Sequence, residues 1–223
     1  MKNNIAIDGP AGAGKSTIAK KLAADLGYVY VDTGAMYRAF AYYFLSNGIA
    51  SDDEAAIAKA CENVDISIAY VNGEQQVLLN GENVNGVIRN EEVGNMASAT
   101  SIYPVVRTKL VELQRKLAEK QDVIMDGRDI GTVVLPRANV KIFLTADPEV
   151  RAKRRYDELI TKGQKANLPQ ILKEIQQRDH QDMTRAIAPL KQAKDAVLVD
   201  TSALDIAGVV EAIKAVVKEK IGV

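Results

Sequence analysis

A glycine-rich segment near the start of the chain sets the narrowest limits on its fold. Residues 9–16 read Gly-Pro-Ala-Gly-Ala-Gly-Lys-Ser and match the pattern G-x-x-x-x-G-K-[ST] at every fixed position. An apolar run at residues 5–7 precedes the segment, and a stretch with helical periodicity at residues 15–26 follows it. The sequence therefore predicts a strand, a phosphate-binding loop and a helix in succession, as in proteins that bind ATP or GTP.

Each residue type in this loop has a physical reason to be there. Glycines let successive backbone N–H groups turn toward an anion, and the following helix adds the positive end of its dipole. The pattern places Lys15 on the β- and γ-phosphates, the Ser16 hydroxyl on Mg²⁺ and Thr17 near an α-phosphate. The predicted nucleotide-binding residues are Gly9, Pro10, Ala11, Gly12, Ala13, Gly14, Lys15, Ser16 and Thr17.

The rest of the chain continues to alternate between strands and helices. Short apolar runs predict buried strands at residues 5–7, 28–31, 123–125, 140–144 and 196–199. Helical periodicity predicts helices at residues 15–26, 35–47, 92–119, 148–162, 168–185 and 203–220. This alternation predicts an α/β fold with a parallel central sheet and helices on both faces.

Residues 64–84 interrupt the alternation. Residues 64–70 alternate apolar and polar side chains, and the pairs at residues 72–73 and 80–81 are both Asn-Gly, which favours two-residue hairpin turns. We expect an inserted three-stranded antiparallel meander. It either caps the site for a second substrate or is a surface excursion.

Composition argues against several classes of protein. Lys+Arg and Asp+Glu number 29 each, so no overall charge draws the chain to nucleic acid or to an anionic membrane. One cysteine, Cys61, and one histidine, His180, argue against disulfides, clustered metal ligands and Ser-His-Asp chemistry. Without a signal-peptide pattern or an apolar stretch of ~20 residues, the expected location is the cytoplasm.

Arginine-bearing motifs downstream carry information about a phosphoryl acceptor. They read Asp-Thr-Gly-Ala-Met-Tyr-Arg at residues 32–38, Asp-Gly-Arg-Asp-Ile-Gly-Thr at residues 126–132, and Arg-Asp to Ala-Pro-Leu across residues 178–190. Together with residues 7–17, these motifs make the chain resemble the bacterial cytidylate kinases over essentially its whole length. Thr33 stands where many members have serine, and it retains the hydroxyl. The resemblance implies a three-layer P-loop NTPase fold.

The resemblance also implies phosphoryl transfer from ATP to CMP, or to dCMP. It places Arg38, Arg128 and Arg185 on phosphates, and Arg178 with Asp182 on the ribose hydroxyls. A surface ion pair is the alternative for these last two residues, which lie four apart. Asp129, with Arg107 and Ser98, would read cytosine, because a carboxylate accepts from N4 but would face a carbonyl in uracil. The implied substrate-binding residues are Thr33, Arg38, Ser98, Arg107, Arg128, Asp129, Arg178, Asp182 and Arg185.

The implied catalytic residues are Lys15, Arg128, Arg185 and Arg154. A phosphate acceptor needs no general base, because its second pKa is about 6 and it is mostly dianionic at neutral pH. Arginines around residue 154 either reach the transferring phosphate or form a solvated basic helix face. Asp8 and Asp126 follow predicted strands, where they either hold a Mg²⁺-bound water or serve as structural turn residues.

These expectations describe one kinase domain. Its core comprises residues 1–33, 120–150 and 186–223, its acceptor-binding region residues 34–119, and its lid about residues 151–168. The expected ligands are ATP, Mg²⁺ and CMP or dCMP, with no nucleic acid or membrane partner, and the expected state is a monomer. Two other interpretations stay open: a P-loop kinase for UMP, AMP or shikimate, and a slow nucleotide-dependent switch.

Overall fold

The computed structural model describes residues 2–222 and has a parallel sheet at its centre. In chain order the strands are β1 (Asn4–Asp8), β2 (Val29–Asp32), β3 (Ile66–Val71), β4 (Glu74–Leu79), β5 (Glu82–Asn83), β6 (Val123–Gly127), β7 (Val140–Thr145) and β8 (Val197–Asp200). The central sheet of the described chain has five strands in the order β2-β6-β1-β7-β8, all parallel. All five predicted strands are confirmed with small differences at their ends, and their carboxyl ends meet at one edge of the sheet.

Helices connect the strands of this sheet. They are α1 (Lys15–Leu26), α2 (Thr33–Ser46), α3 (Glu54–Asn63), α4 (Glu91–Thr100), α5 (Pro104–Lys120), α6 (Pro148–Thr161), α7 (Leu168–Thr184) and α8 (Ile206–Ile221). The predicted helix at residues 15–26 is confirmed with the same bounds. Helix α3 is not among the predicted helices, although Asp53 carries a capping signal: its side chain accepts from the Ala56 backbone N–H at 2.9 Å.

The single helix predicted at residues 92–119 is wrong, because the chain breaks between α4 and α5. Pro104 is the first residue of α5, and Tyr103 before it is extended, with φ −75° and ψ 128°. Proline lacks the N–H that a continuing helix needs, and it disfavours helical geometry in the residue before it. Local proline chemistry therefore outweighs the continuous apolar periodicity.

The two faces of the sheet are covered by different helices. On one face, Ile7 packs with residues of α1 and α8, among them Ile213. On the other face, Met125 belongs to a cluster that includes Phe40 of α2 and Val77 of the inserted strands. Successive strand residues point to opposite faces, so a strand with buried residues at consecutive positions needs cover on both sides.

The predicted three-stranded meander is confirmed as the antiparallel sheet β3-β4-β5. Both of its turns are Asn-Gly pairs with positive φ: 52° and 79° at Asn72 and Gly73, and 50° and 86° at Asn80 and Gly81. These are the backbone angles that two-residue hairpins require.

The meander docks on the end of strand β2. The Gln75 side chain accepts from the Asp32 backbone N–H at 2.8 Å and donates to the Asp32 carbonyl at 3.2 Å. The Tyr70 hydroxyl donates to the Tyr30 carbonyl at 3.1 Å. The insert is therefore joined to the same edge of the sheet at which the phosphate loop lies.

Each helix in the described part of the chain, residues 2–222, is too short or too polar to span a bilayer.

Candidate active site

The phosphate loop joins β1 to α1 through glycines in unusual conformations. Gly9 has φ +153°, and a Cβ atom there would lie 1.9 Å from the main-chain oxygen of Leu144, so glycine alone fits. Gly12 and Gly14 have φ of +76° and +88°, in the left-handed region that favours glycine. The loop ends at the N-terminus of α1, where backbone N–H groups and the helix dipole favour an anion.

Side chains from three segments meet at this loop. Lys15 is buried, and its Nζ donates to the Pro10 carbonyl at 2.7 Å. The Ser16 hydroxyl donates to Asp126 Oδ2 at 2.8 Å, and the Tyr30 hydroxyl donates to Asp126 Oδ1 at 2.9 Å. Strand β6 thus places a carboxylate beside the hydroxyl predicted to bind Mg²⁺.

Charges at this point are buried close to one another. Burial lowers the pKa of Lys15 well below its ordinary value, and the nearby Arg128 guanidinium lowers it further. Burial also raises the pKa of Asp126, and the negative charge of Asp32 adds to the effect. The positive charges of Lys15 in the phosphate loop and of Arg128 therefore repel each other. An anion between them would relieve the repulsion.

Asp8 binds the backbone of the loop that follows β6. Its two carboxylate oxygens accept from the backbone N–H groups of Ile130 and Gly131, each at 2.7 Å. Burial raises the pKa of Asp8 to about 6, although both hydrogen bonds oppose the shift. These residues begin a short π-helical turn, Ile130–Val134. Asp8 thus holds the 126–132 motif against the phosphate loop, whereas Asp126 is the carboxylate beside Ser16.

Three arginines of the predicted acceptor site lie together. Arg128 Nε donates to Asp182 Oδ2 at 2.8 Å. Burial lowers the pKa of Arg178 to about 10, and the positive charges of Arg128 and Arg38 lower it as well. Within residues 2–222, no hydrogen-bond partner reaches the buried Nε of Arg178. The guanidinium groups of this cluster are suited to an anion with several oxygens, such as phosphate.

A second ionic cluster surrounds Asp129. Arg107 and Asp129 form a buried ion pair, and Arg185 Nη2 lies 3.7 Å from Asp129 Oδ1. Burial raises the pKa of Asp129, although Arg107 and Arg185 act in the opposite direction. Arg107 also lies over the Tyr37 ring at 5.9 Å, and burial raises the pKa of Tyr37 to about 12. Asp182 connects the two clusters, because Arg185 Nη1 is 3.8 Å from its Oδ1.

The remaining predicted residues sit in other surroundings. The Thr33 hydroxyl donates to the Asp126 carbonyl at 2.6 Å, next to the phosphate loop. Ser98 meets α7 through its backbone, because its carbonyl accepts from Gln181 Nε2 at 3.1 Å. Arg154 donates to the Thr201 hydroxyl at 3.0 Å and to the Thr201 carbonyl at 2.7 Å. The catalytic role of Arg154 and the base-reading role of Ser98 stay predictions.

Two ion pairs beside the predicted site were not expected from the sequence. Arg89 Nη2 lies 2.7 Å from Asp32 Oδ2, and Arg151 pairs with Asp179 through two hydrogen bonds of 3.1 and 2.6 Å. Asp32 and Asp179 carried a detectable signal, because they lie in the arginine-bearing motifs of the sequence. Arg151 lies in the segment predicted as a lid, whereas nothing in the sequence separates Arg89 from other surface arginines.

Comparison with known proteins bears on this site. The profile of the cytidylate kinase family matches residues 5–219. The chain belongs to the cytidylate kinase family. A cytidylate kinase from Exiguobacterium sp. is 51% identical over 215 residues, which cover 96% of each chain. A cytidylate kinase from Geobacillus sp. is 50% identical and aligned over 100% of both chains, and one from Caldicellulosiruptor saccharolyticus is 53% identical over 94% of this chain and 93% of its own.

Solved structures resemble the family member described here in fold. A gluconokinase from Sinorhizobium meliloti 1021 superposes with a TM-score of 0.52, with 98% of this chain and 93% of that chain covered at 14% identity. An uncharacterized protein from Eubacterium ventriosum gives a TM-score of 0.56 at 13% identity, with coverage of 97% and 99%. At such identities the likeness concerns the α/β architecture alone, and function has to be argued from the site.

Proposed function

We propose that the protein transfers the γ-phosphoryl group of ATP in line to CMP, and to dCMP, giving ADP and CDP or dCDP, in pyrimidine nucleotide metabolism. One observation carries this proposal: near the end of strand β6, Asp126 accepts from Ser16 of the phosphate loop at 2.8 Å, and two residues later Arg128 donates to Asp182 at 2.8 Å. The positive charges of Arg38 and Arg178 also act on that of Arg128. Membership of the cytidylate kinase family supports the same acceptor.

Catalysis in this arrangement comes from alignment and charge neutralisation. Two polyanions have to approach each other, and Lys15 with the acceptor arginines offsets their charge. The acceptor phosphate is already ionised at neutral pH, so no side chain has to remove a proton. The chain accordingly has one histidine, His180, and that residue is exposed on α7.

The residues around Ser16 suit Mg²⁺. A hydroxyl and a carboxylate, Ser16 and Asp126, lie 2.8 Å apart beside the phosphate loop, and Mg²⁺ prefers such hard oxygen ligands. In residues 2–222 no three His, Cys, Asp or Glu side chains form a metal cluster, which fits an ion held largely by phosphate oxygens and water. When bound, Mg²⁺ would neutralise charge on the β- and γ-phosphates, and Ser16 and Asp126 would hold it.

Ser16 offers a direct test of the Mg²⁺ assignment. In Ser16→Ala, we expect the Mg²⁺-dependent part of the affinity for a non-hydrolysable ATP analogue to fall roughly tenfold or more, consistent with loss of one ligand group. Ser16→Thr retains a hydroxyl and should recover most of that dependence. Titration of the analogue with and without Mg²⁺ by calorimetry gives the comparison. Equal Mg²⁺ dependence in Ser16→Ala and the native protein would remove Ser16 from the ion.

Asp129 is proposed to select cytosine over uracil. Its Oδ2 is held by Arg107, while Oδ1 lies 3.7 Å from Arg185, farther than a hydrogen bond. Oδ1 therefore has capacity to accept from the N4 amino group of cytosine. In uracil the same position carries a carbonyl, and two acceptors would face each other in a buried site.

Asp129→Asn tests this selection with little change in shape. The amide can donate to a uracil carbonyl, so the ratio of kcat/KM for CMP to that for UMP should fall by roughly tenfold or more. Steady-state assays with both acceptors measure the ratio, and Asp122→Asn is a control at a carboxylate near the opposite end of the sheet. An unchanged ratio would refute the role of Asp129. Absence of turnover with CMP in the native enzyme would refute the proposed function itself.

The proposal also covers the lid, the domain boundaries, the oligomeric state and the cellular location. The lid proposed from the sequence, about residues 151–168, comprises most of α6 and the connection to α7, and we assign to it the exclusion of water during transfer. The core and acceptor-binding regions keep the residue ranges proposed from the sequence. The enzyme is proposed to act as a cytoplasmic monomer on free nucleotides, without a nucleic acid or membrane partner. The buried free thiol of Cys61 suits a reducing compartment.

A further inference from the structure

The Arg151 side chain joins three parts of the molecule through one guanidinium group. It is 3% exposed, and its Nε donates to the Ala146 carbonyl just after β7 at 2.8 Å. Its Nη1 donates to the Ala11 carbonyl of the phosphate loop at 3.0 Å. Its two terminal nitrogens also donate to Asp179 of α7, at 3.1 and 2.6 Å. A rigid planar fork therefore sets the distance between the loop and α7.

The two ends of this connection belong to different subsites. Ala11 lies in the loop that holds the donor phosphates. Asp179 lies on α7 next to Arg178 and less than one turn from Asp182, which pairs with Arg128 in the acceptor site. The positions of the donor loop and of the acceptor helix are thus linked through two side chains, Arg151 and Asp179.

The phosphate loop also packs against Arg151 directly. A Cβ atom at Gly12 would lie 3.3 Å from the Arg151 Cβ, a close approach that leaves little room between loop and side chain. A loop that turns its N–H groups toward an anion turns carbonyls outward, and these need partners of their own. Arg151 supplies that partner for Ala11, so it supports the loop conformation that receives phosphate.

A purely structural role would not require both contacts. A buried ion pair between α6 and α7 would satisfy Arg151 and Asp179 without reaching the loop, and such pairs contribute little net stability. The contact with Ala11 is the additional feature. It lets a displacement of α7 alter the loop, and a displacement of the loop alter α7.

We propose that Arg151 and Asp179 are positioning residues that couple the binding of acceptor to the binding of donor. The inference rests on the proposed function in naming CMP and ATP as the two ligands. CMP bound at Asp182 and Arg178 holds α7 in place, and through Asp179 and Arg151 this holds the phosphate loop in the form that binds ATP. Linkage is reciprocal, so ATP must tighten CMP binding by the same factor.

Calorimetric titration tests the coupling. The dissociation constant of a non-hydrolysable ATP analogue is measured with and without CMP at a concentration that saturates each protein. In the native enzyme we expect CMP to tighten the analogue by roughly fivefold or more, within the range usual for linked sites. In Asp179→Asn, which keeps the shape but loses the charge, the ratio should fall to within about twofold of one.

A matched control separates the coupling from a general effect on α6. Arg155 lies on the same helix, and its partner Glu158 is exposed, with 2.9 Å between them. Arg155→Met should keep the native ratio, and its loss there would contradict the proposal. If Asp179→Asn does not fold, the same ratio of dissociation constants is measured in Arg151→Lys. It should also fall to about one, because lysine lacks the planar fork that bonds the loop and Asp179 together.

Measurements on the native enzyme distinguish a failure of this inference from a failure of the proposed function. Turnover of CMP without any coupling in the native enzyme, or native coupling that survives in Asp179→Asn, overturns the role of Arg151 and Asp179 alone. Failure to turn over CMP at all overturns the proposed function. Native coupling that is lost in Asp179→Asn and kept in Arg155→Met supports the proposal.

Discussion

Asp8 illustrates at the residue scale how burial makes stability depend on pH. Its pKa rises from 3.8 to about 6 in the folded protein. Between these values the folded protein binds more protons than the unfolded chain, so the free energy of unfolding falls as pH rises from about 4 to 6. A shift of this size corresponds to roughly 3 kcal/mol when fully expressed. The hydrogen bonds to Ile130 and Gly131 explain why this position keeps a carboxylate.

We predict that Asp8→Asn removes this part of the pH dependence. The amide does not titrate, so the native advantage over the variant should shrink by roughly 2–2.5 kcal/mol between pH 4 and pH 7. Urea unfolding of both proteins at pH 4, 5, 6 and 7 measures it. Asp52→Asn, at an exposed position, is the control. A native-to-variant difference that stays constant across this range would contradict the assignment.

At the scale of elements, the inserted meander supports the start of α2, because it contacts the carboxyl end of β2. Gln75 of β4 holds the backbone of Asp32, and the Asp32 side chain caps α2 by accepting from the Ala35 N–H at 2.9 Å. Arg38 projects from the same helix. Arg89, which follows the meander, pairs with Asp32 at 2.7 Å. The start of α2 is therefore held from both sides.

We predict that Gln75→Ala weakens acceptor binding and leaves donor binding nearly unchanged. Losing the hydrogen bonds to the Asp32 N–H and carbonyl should lower the free energy of unfolding by about 1–3 kcal/mol, because these buried backbone groups lose a partner. The KM for CMP should rise severalfold, while the KM for ATP stays within about twofold. Steady-state kinetics with each substrate varied in turn measure both constants.

The neighbouring residue provides the control for this prediction. Gln76 is partly buried on the opposite face of β4, so Gln76→Ala removes a similar side chain without touching Asp32. It should leave both KM values near native. Equal effects of Gln75→Ala and Gln76→Ala on CMP would indicate that the meander acts through its general stability, not through Asp32.

At the scale of the whole molecule, one sheet supports both the donor loop and the acceptor region. Its two faces belong to separate hydrophobic clusters, one with α1 and α8 and the other with α2, α5 and the meander. Strands β1 and β6 contribute buried residues to both clusters. We therefore expect the two clusters to unfold together in one cooperative transition.

Phe40→Ala tests this cooperativity from the acceptor side. The Phe40 ring is fully buried and stacks on Phe44 with centroids 5.8 Å apart, so its removal should cost about 3–5 kcal/mol. Urea unfolding followed by circular dichroism, and by loss of ATP-analogue binding, should shift by the same amount. Phe40→Leu, which leaves a smaller cavity, should lose less. Donor binding that persists after the circular dichroism transition would show that the two clusters unfold separately.

The phosphate loop, the five core strands and both hairpin turns follow from the order of neighbouring residues. Glycine at positions 9, 12 and 14 and Asn-Gly at residues 72–73 and 80–81 act through backbone angles that a few consecutive residues control. Motif spacing also singled out Arg38, Arg128 and Arg178, whose charges act on one another in the fold, while their role on phosphate stays a prediction. The break at Pro104 is also local in origin, because proline begins a helix and keeps the residue before it extended.

Contacts between side chains that are distant in the sequence depend on the tertiary structure. Ser16 meets Asp126 across 110 positions because β6 lies beside β1, and Arg151 meets Asp179 across 28 positions because α6 packs on α7. No local pattern encodes strand order or the contact between two helices. These follow from burying both faces of one sheet at once, a condition that only the whole chain can satisfy.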